Sequence, residues 1–254
     1  MNFLISNDDG INSPSLRFLA ETLSAYGKVF CCAPNSEQSG VSQAFTFRKP
    51  IVADELGSWP GPTWSIGGTP ADCVKLGINQ LVNEKIDLVI TGVNLGLNLG
   101  VAVVYSGTVG AAREAALFKV PAIAMSVDEW SDEEAIKIKK WIKEFITTKQ
   151  YQKIKKGKYW NLNFPKAGSY ELAKTKFCEM GSVMYTDSYE NKEGAWTLSG
   201  EKNSQGFKDP TDDYWHMKGY TTIVPLQIDQ TSREEISMGS LILAEQQKDG
   251  RCQN

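Results

Sequence analysis

The sequence predicts an α/β protein built around a doubly wound, mostly parallel β-sheet. Two observations carry this prediction: short apolar runs alternate with segments of helical periodicity, and glycine or proline stands at most junctions between them. Such alternation is typical of parallel strands joined by crossover helices. With 254 residues, the chain is long enough to bury a sizeable core as one domain or as a domain with an appendage.

A strand, a loop and a helix open the chain. Residues 1–6 form a short apolar run that predicts a strand, and the polar residues 7–12 predict the loop after it. Ser13 and Pro14 suit the N-cap and the first helical position, and leucines then recur at helical spacing as far as Gly27.

The same alternation continues towards residue 165. Thr69 and Asp72 have the spacing of a capping box and predict a helix start. Either Ser106 or Thr108 caps a later helix, and the sequence does not decide between them. The full set of predicted core elements comprises strands at 28–34, 86–94, 120–127 and 159–165 and helices at 69–82, 109–119 and 133–147. The apolar residues assigned to the last helix are Ile136, Trp141, Ile142 and Phe145.

Residues 166–254 are predicted to be a C-terminal accessory and oligomerisation region beside a core domain at 1–165, because glycine, lysine and aromatic residues become frequent there. Residues 182–200 predict a hairpin with its turn near 191–194, and residues 219–226 predict a strand that returns to the core. The aromatic residues of this hairpin either form a subunit contact or pack on their own domain; they are Tyr185, Tyr189 and Trp196.

Charge and cysteine content exclude several classes of function. The net charge of −3 gives no basic surface for nucleic acid or for an anionic membrane, so we expect neither partner. The five cysteines are odd in number and never spaced C-x-x-C, which argues against a zinc site and against a disulfide framework. The chain has no signal-peptide pattern and no membrane-spanning apolar run, so we expect a cytoplasmic protein with a small substrate.

Polar residues gather at the predicted carboxyl ends of the strands, where ligands bind in open parallel sheets. Asp8 and Asp9 follow the first strand, residues 36–42 follow the second, residues 94–98 follow the third, and residues 106–108 open a helix. Carboxylate, hydroxyl and amide oxygens are the ligands that Mg²⁺, Mn²⁺ or Ca²⁺ prefer. A divalent cation would explain why two like charges stand side by side.

The same edge is expected to bind an anion, because the run YSGTVGAA places small and hydroxyl residues at a helix N-terminus. A cation beside a phosphate site indicates phosphate chemistry, in which the cation polarises a phosphoryl oxygen and activates water. The chain lacks the G-x-x-x-x-G-K-[ST] and G-x-G-x-x-G fingerprints of nucleoside triphosphate and dinucleotide sites. His216 is the only histidine, and the sequence leaves open whether it does acid–base work or packs near Trp215.

Seven collinear motifs resemble the SurE family, the survival-protein-E nucleotidases, from residue 3 to about residue 231. They are LISNDDGINSPSLRFLAETL, VFCCAPNSEQSGVSQAFTF, IGGTPADCVKLGI, DLVITGVNLGLNLG, YSGTVGAAREAALFKVPAIAMSV, NLNFP and GYTTIVPL. The resemblance implies a Rossmann-like core and a metal-dependent phosphatase acting on nucleoside monophosphates, with one Mg²⁺ or Mn²⁺ per subunit. It also implies a homodimer or homotetramer that exchanges C-terminal elements between subunits.

The resemblance also assigns site residues. The implied metal ligands are Asp8, Asp9, Ser39 and Asn94, of which Asp8 and Asp9 are also the implied catalytic residues. The implied phosphate contacts are Gly40, Asn98, Ser106, Gly107 and Thr108. Which of the two acids orients the attacking water stays open, as do the preferred base, the 5′ or 3′ position, polyphosphate cleavage and the physiological cation.

The chain departs from the family pattern at three places, none of them an implied metal ligand. Val103 and Val104 replace an acidic residue and a threonine, Arg113 to Ala115 replace Met-Glu-Gly, and Glu190 to Gly194 replace the Asp-Pro-Arg-Gly hairpin turn. Two other classes of function remain as alternatives: a non-catalytic nucleotide-binding or regulatory protein that uses the same pocket, and a scaffolding protein that acts through its hairpin.

Overall fold

A mixed sheet lies between two layers of helices in the computed structural model, which describes residues 1–166, 170–182, 186–200 and 208–238. Within these ranges the strands are β1 (Asn2–Ser6), β2 (Lys28–Pro34), β3 (Ala53–Leu56), β4 (Thr63–Ile66), β5 (Leu88–Leu95), β6 (Ala122–Val127), β7 (Lys158–Phe164), β8 (Lys176–Phe177), β9 (Ser188–Lys192), β10 (Ala195–Ser199) and β11 (Thr222–Gln227). The helices are α1 (Pro14–Ser24), α2 (Pro70–Leu76), α3 (Ala102–Tyr105), α4 (Gly107–Leu117), α5 (Asp132–Thr147) and α6 (Asp212–Met217). A π-helical turn (Gly77–Leu81) extends α2, and 3₁₀ turns occupy Gln150–Lys153 and Leu172–Lys174.

The strand order in the sheet is β3-β4-β2-β1-β5-β6-β7-β11-β8. The six strands from β4 to β7 are mutually parallel, and β3 and β11 run antiparallel to their neighbours β4 and β7. Counted along the chain, the parallel strands have the order 3-2-1-4-5-6 of Rossmann folds, in which the direction of winding reverses between β1 and β5. The predicted doubly wound α/β class is confirmed.

Each face of the sheet packs on its own apolar layer. Along β1, Phe3 and Ile5 face the core beneath α1 and α5, whereas Leu4 faces the core beneath α2 and α4. Strands buried on both faces explain the continuous apolar runs in the sequence. Helix α4 approaches the sheet closely because Ala111, Ala112 and its other inward residues are small.

Most predicted elements are present within a few residues of their predicted bounds. Thr69 and Asp72 form the capping box of α2. Ser106 is the N-cap of α4, since its hydroxyl accepts the N–H of Val109, which decides against Thr108. One assignment was wrong: Ile136 is 70% exposed, because Ile138 occupies the position three residues before Trp141 on the buried stripe of α5.

Strands β3 and β4, which form an antiparallel pair at one edge of the sheet, were not predicted. β3 reads Ala-Asp-Glu-Leu and is partly exposed, so it has neither an apolar run nor clear alternation. Such edge strands are specified by pairing with a neighbour more than by their own composition.

The C-terminal region contains the predicted hairpin and the returning strand. The strands β9 and β10 are joined at Glu193 and Gly194, both with positive φ, as expected for a two-residue hairpin loop. Tyr189 and Trp196 are 62% and 68% exposed, so most of each side chain is uncovered by the described residues, while Tyr185 lies outside them. The strand β11 pairs with β7 and thereby joins the main sheet.

Among the helices in the described residues, none combines the length and the apolar character needed to cross a lipid bilayer.

Candidate active site

A cleft of about 230 Å³ opens at the carboxyl ends of β1 and β5, where the direction of winding reverses. Six predicted site residues line this cleft: Asp8, Ser39, Gly40, Asn94, Asn98 and Ser106. Three further predicted site residues contact or adjoin Asp8 without lining the cleft: Asp9, Gly107 and Thr108. The fold therefore brings together residues that are up to 100 positions apart in the sequence.

Asp8 is held by the start of α4. Its carboxylate accepts the N–H of Thr108 at 3.0 Å and also the Thr108 hydroxyl, and its side chain is almost fully buried. Burial raises the pKa of Asp8, and the hydrogen bonds from Thr108 and from the Gly107 N–H oppose that rise. The first N–H groups of α4 thus face a carboxylate in this structure, and the phosphate contacts of Gly107 and Thr108 stay predictions.

Gly107 permits this contact because it has no side chain. A Cβ at residue 107 would lie 2.9 Å from Cβ and 3.0 Å from Oδ2 of Asp8, and 3.2 Å from the carbonyl oxygen of Gln38. Distances below 3.0 Å require one of the groups to move, and the Asp8 Cβ is fixed to the backbone after β1. A glycine is therefore required sterically at the N-terminus of α4.

Asp9 has an oxygen without a partner. Its Oδ2 is inaccessible to solvent and has no hydrogen-bond partner among the described residues. Burial raises the pKa of Asp9 to about 6, the Asp8 and Glu37 carboxylates add to the rise, and the Leu95 N–H opposes it. A buried carboxylate oxygen without a donor is costly in an otherwise well-bonded structure, which indicates that a ligand completes this site.

The loop after β2 carries Ser39 and Gly40 to the mouth of the cleft. Both residues are exposed, and the Ser39 hydroxyl donates to Glu37 at 2.9 Å, which leaves its oxygen lone pairs available. The Gln38 N–H donates to the Asp8 carbonyl at 2.7 Å, and the Ser42 N–H donates to the Tyr105 carbonyl at 2.8 Å. Backbone hydrogen bonds therefore attach this loop on both sides of Ser39.

Asn94 lies near the end of β5, next to Leu95, whose N–H bonds Asp9. Its Nδ2 donates to the Gly96 carbonyl at 2.7 Å, so the amide oxygen is the atom left to bind a ligand. Gly92 precedes it with a φ of +117°, and a Cβ there would lie 2.2 Å from the Met125 carbonyl oxygen. The chain at Gly92 has a conformation that favours glycine, and the pairing of β5 with β6 shifts register between Thr91 and Asn94, which pairs with Ser126.

Asn98 is fixed by a buried polar network that was not predicted from the sequence. Its N–H donates to Oδ1 of Asn163 at 2.8 Å, and its carbonyl accepts Nδ2 of Asn161 at 2.7 Å and Nδ2 of Asn163 at 3.1 Å. Its own Nδ2 donates to the Ser126 hydroxyl at 2.8 Å. The backbone N–H, the backbone carbonyl and Nδ2 of Asn98 are thus hydrogen-bonded. Its side-chain oxygen Oδ1 is left for a ligand.

The donor set fits a hard divalent cation. Asp8, Ser39 and Asn94 line the cleft, Asp9 adjoins Asp8, and one oxygen of Asp9 is buried without a donor. No group of three or more histidine, cysteine or acidic side chains suited to a metal occurs in the described parts of the chain. An oxygen site that combines Asp8 and Asp9 with Ser39 and Asn94 agrees with that finding.

His216 lies on α6, is 8% exposed, and is not among the residues that line the cleft. Its position outside the cleft lining gives no support to acid–base work, and packing near Trp215 stays a prediction.

Comparison of this chain with known protein families shows to which family it belongs. The family model described as Survival protein SurE matches residues 3–187. The chain belongs to the SurE family. A 5'-nucleotidase SurE of Clostridium botulinum (strain Alaska E43 / Type E3) is 36% identical over 246 residues, which cover 93% of this chain and 97% of that protein. A 5'-nucleotidase SurE of Clostridium tetani (strain Massachusetts / E88) is 37% identical over 239 residues, which cover 91% and 96%.

A solved SurE structure has the same fold. The crystal structure of the SurE protein from Aquifex aeolicus matches with a TM-score of 0.80 at 31% identity, and the match covers 96% of this chain and 100% of that chain. The family resemblance inferred from the seven motifs is confirmed, and so is the Rossmann-like core it implied.

Proposed function

We propose that this SurE-family chain is a divalent-metal-dependent phosphatase that hydrolyses nucleoside monophosphates to nucleoside and phosphate, as a 5'-nucleotidase. The observation that carries the proposal is a pair of adjacent carboxylates, Asp8 in the cleft lining and Asp9 next to it, with one buried oxygen of Asp9 unbonded. The names of the related SurE proteins support the nucleotide substrate.

Asp8, Asp9, Ser39 and Asn94 would hold one Mg²⁺ or Mn²⁺ per subunit. A cation bound there supplies polarisation of the phosphoryl group and neutralises charge that develops during its transfer. Asp9 is the acid we propose to orient the attacking water, because both oxygens of Asp8 are bonded to Thr108 whereas Oδ2 of Asp9 has no partner.

Asn98, Ser106 and Gly40 lie on the cleft wall and are proposed to contact the phosphate. The positive end of the α4 dipole lies at Ser106, so it favours an anion at this end of the cleft. A cytoplasmic location stays a prediction, and so does the choice between dimer and tetramer.

Chelation tests the metal assignment. Phosphate release from AMP is expected to stop when EDTA is added and to recover with excess Mg²⁺ or Mn²⁺, because an all-oxygen site favours these cations. A colorimetric phosphate assay measures both steps. Release that continues undiminished in EDTA would contradict metal dependence, and Zn²⁺ as the best activator would contradict the ligand set. Binding of AMP without release under any cation would favour the non-catalytic alternative.

Self-association through the hairpin is a second part of the proposal. Both faces of β9 and β10 are exposed, including Tyr189, Trp196 and Leu198, and isolated hairpins are marginally stable in water. A second copy of the chain is the partner we propose for them.

Deleting the hairpin tests that role. Joining Thr186 to Gly200 through two glycines is geometrically easy, because these residues are in contact at the base of the hairpin. Light scattering after size exclusion should then report a smaller particle than wild type. A Trp196→Ser variant serves as the milder control and should weaken association without removing backbone. An unchanged mass for the deletion would exclude the hairpin from assembly.

A further inference from the structure

The loop from Asn98 to Gly100 is attached to the C-terminal region by a buried carboxylate. Asp212, the first residue of α6, is fully buried and lies 112 positions from Gly100 in the sequence. The Gly100 N–H donates to both of its oxygens, at 3.1 Å to Oδ2 and at 3.3 Å to Oδ1, and Oδ1 also accepts the N–H of Gly181 at 2.8 Å and of Asp213 at 2.9 Å. One side chain therefore joins the cleft wall, residue 181 and α6.

The backbone at Gly100 is in close contact with the same region. Gly100 has a φ of +53°, and a Cβ there would lie 2.0 Å from the Ser182 carbonyl oxygen. Ser182 is itself held by Asp213, whose Oδ2 accepts its N–H at 3.0 Å. Residues 181 and 182 thus press against the loop and are secured by both acids of α6.

Gly100 lies in the chain between two of the three phosphate contacts proposed above, Asn98 and Ser106. On one side lies Asn98, bonded to Asn161 and Asn163 of β7. On the other side, the Val103 N–H donates to the Gly100 carbonyl as α3 begins, and α3 leads directly to Ser106. A displacement of Gly100 would therefore move both ends of the phosphate wall.

Stability alone does not explain an acid at position 212. In the described chain, no ion pair involves Asp212 or Asp213, so the Asp212 charge is compensated by N–H groups only. Burial raises the pKa of Asp212 to about 6, which shows that the surroundings disfavour its charged form. Buried charges without a counter-ion generally reduce stability and are retained where they fix a particular arrangement.

We infer that Asp212 is a positioning residue for the phosphate end of the cleft: it holds the Gly100 N–H and so fixes Asn98 and Ser106 for substrate binding. The inference rests on the proposed function and deepens it, because it gives the C-terminal region a role in substrate affinity within one subunit. Asp212 acts through the loop and is not assigned any contact with substrate.

Asp212→Asn is the variant that tests this role. The new Oδ1 can still accept the N–H groups of Gly181 and Asp213 and keeps only the longer 3.3 Å contact to the Gly100 N–H. The new Nδ2 faces that N–H in place of the acceptor at 3.1 Å, so the loop contact is the one that is weakened. We expect KM for AMP to rise about tenfold, with kcat within about twofold, because loss of one hydrogen bond to a charged acceptor weakens ground-state and transition-state binding alike. The Mn²⁺ affinity, measured by titration calorimetry, should be unchanged.

Asp213→Asn is the matched control. Asp213 is as deeply buried, lies on the same turn and holds Ser182, but it does not contact Gly100. Its KM should rise much less than that of Asp212→Asn, because Asp213 reaches Gly100 only through Ser182. Asn163→Asp loses the donor to the Asn98 carbonyl from the opposite side of the loop, so its KM should rise as it does for Asp212→Asn.

Several outcomes would overturn the inference. A wild-type KM in Asp212→Asn, or an equal rise in Asp213→Asn, would show that Asp212 only stabilises α6. Hydrogen exchange on the wild-type chain provides a measurement that needs no variant: the Gly100 amide should be strongly protected, and rapid exchange would contradict the bond. If wild type releases no phosphate from AMP at all, the proposed function fails instead, and the exchange measurement still decides whether the bond exists.

Discussion

Asp9→Asn is expected to lower kcat/KM for AMP by about a thousandfold. A catalytic cation contributes several kcal/mol to transition-state stabilisation, and about 4 kcal/mol corresponds to a factor of a thousand in rate. Asparagine keeps the shape of the side chain but removes one charge from the proposed cation site and the free oxygen that would orient water. Phosphate-release kinetics under saturating Mn²⁺ measure the loss.

The same variant should not destabilise the metal-free protein. The pKa of Asp9 is raised to about 6 in the folded protein from its ordinary value of 3.8. Ionisation of Asp9 therefore lowers the free energy of unfolding, and the loss grows as the pH rises through this range. At pH 7.5 the metal-free variant should therefore melt at or above the wild-type temperature. The difference should shrink as the pH falls through 6 towards 4, because wild-type Asp9 becomes protonated in the fold.

The effect of metal on the melting temperature distinguishes a metal-binding role of Asp9 from a purely structural role. Saturating Mn²⁺ should raise the melting temperature of wild type, since a ligand that binds only the folded state stabilises it, and should raise that of Asp9→Asn much less. Asp54→Asn, at an exposed carboxylate on β3, is the control and should behave as wild type in every assay. A variant that retains metal-dependent release, or melts far below metal-free wild type, would make Asp9 a structural turn residue.

Gly107→Ala is expected to reduce kcat/KM about a hundredfold, since a displacement of about 1 Å in a catalytic group has effects of that size. The added Cβ would overlap the Asp8 side chain and approach the Gln38 carbonyl oxygen. Relief of the overlap requires α4 and the end of β1 to separate, which moves Asp8 relative to Asp9. Overpacking of this kind destabilises by about 1–3 kcal/mol, or several degrees in melting temperature.

Gly57→Ala provides the matched control. No atom lies within 4 Å of a Cβ built at Gly57, so the substitution should change neither activity nor melting temperature appreciably. In Gly107→Ala the activity should fall more than the folded fraction does, which circular dichroism at the assay temperature measures. Wild-type activity in Gly107→Ala would show that the Asp8 site tolerates movement of α4.

The part of the site that follows strands β1 and β5 was predictable from the sequence. Asp8, Asp9 and Asn94 stand directly after or near the end of apolar runs, and parallel strands bring their carboxyl ends to one edge. The N-cap at Ser106 had a local signal as well. These features depend on neighbours within a few residues, and sequence patterns report such neighbours.

The sequence contains only a weak indication of the two asparagines that hold Asn98. Asn161 and Asn163 stand two apart in the strand β7, so they share one face, and two amides on one face of an otherwise apolar strand indicate a buried polar partner. Asp212 had no local signal, because its partner Gly100 is 112 residues away. Contacts of this kind become visible only when the topology is known.

The antiparallel strand β11 has a consequence for how the chain acquires its structure. β7 is buried along most of its length and pairs on its outer side with β11, which ends at residue 227. During synthesis, the hydrogen-bonding edge of β7 stays uncovered until about sixty further residues have left the ribosome. An uncovered apolar edge strand promotes intermolecular pairing, so nascent chains halted near residue 165 should be prone to aggregation and should need a chaperone.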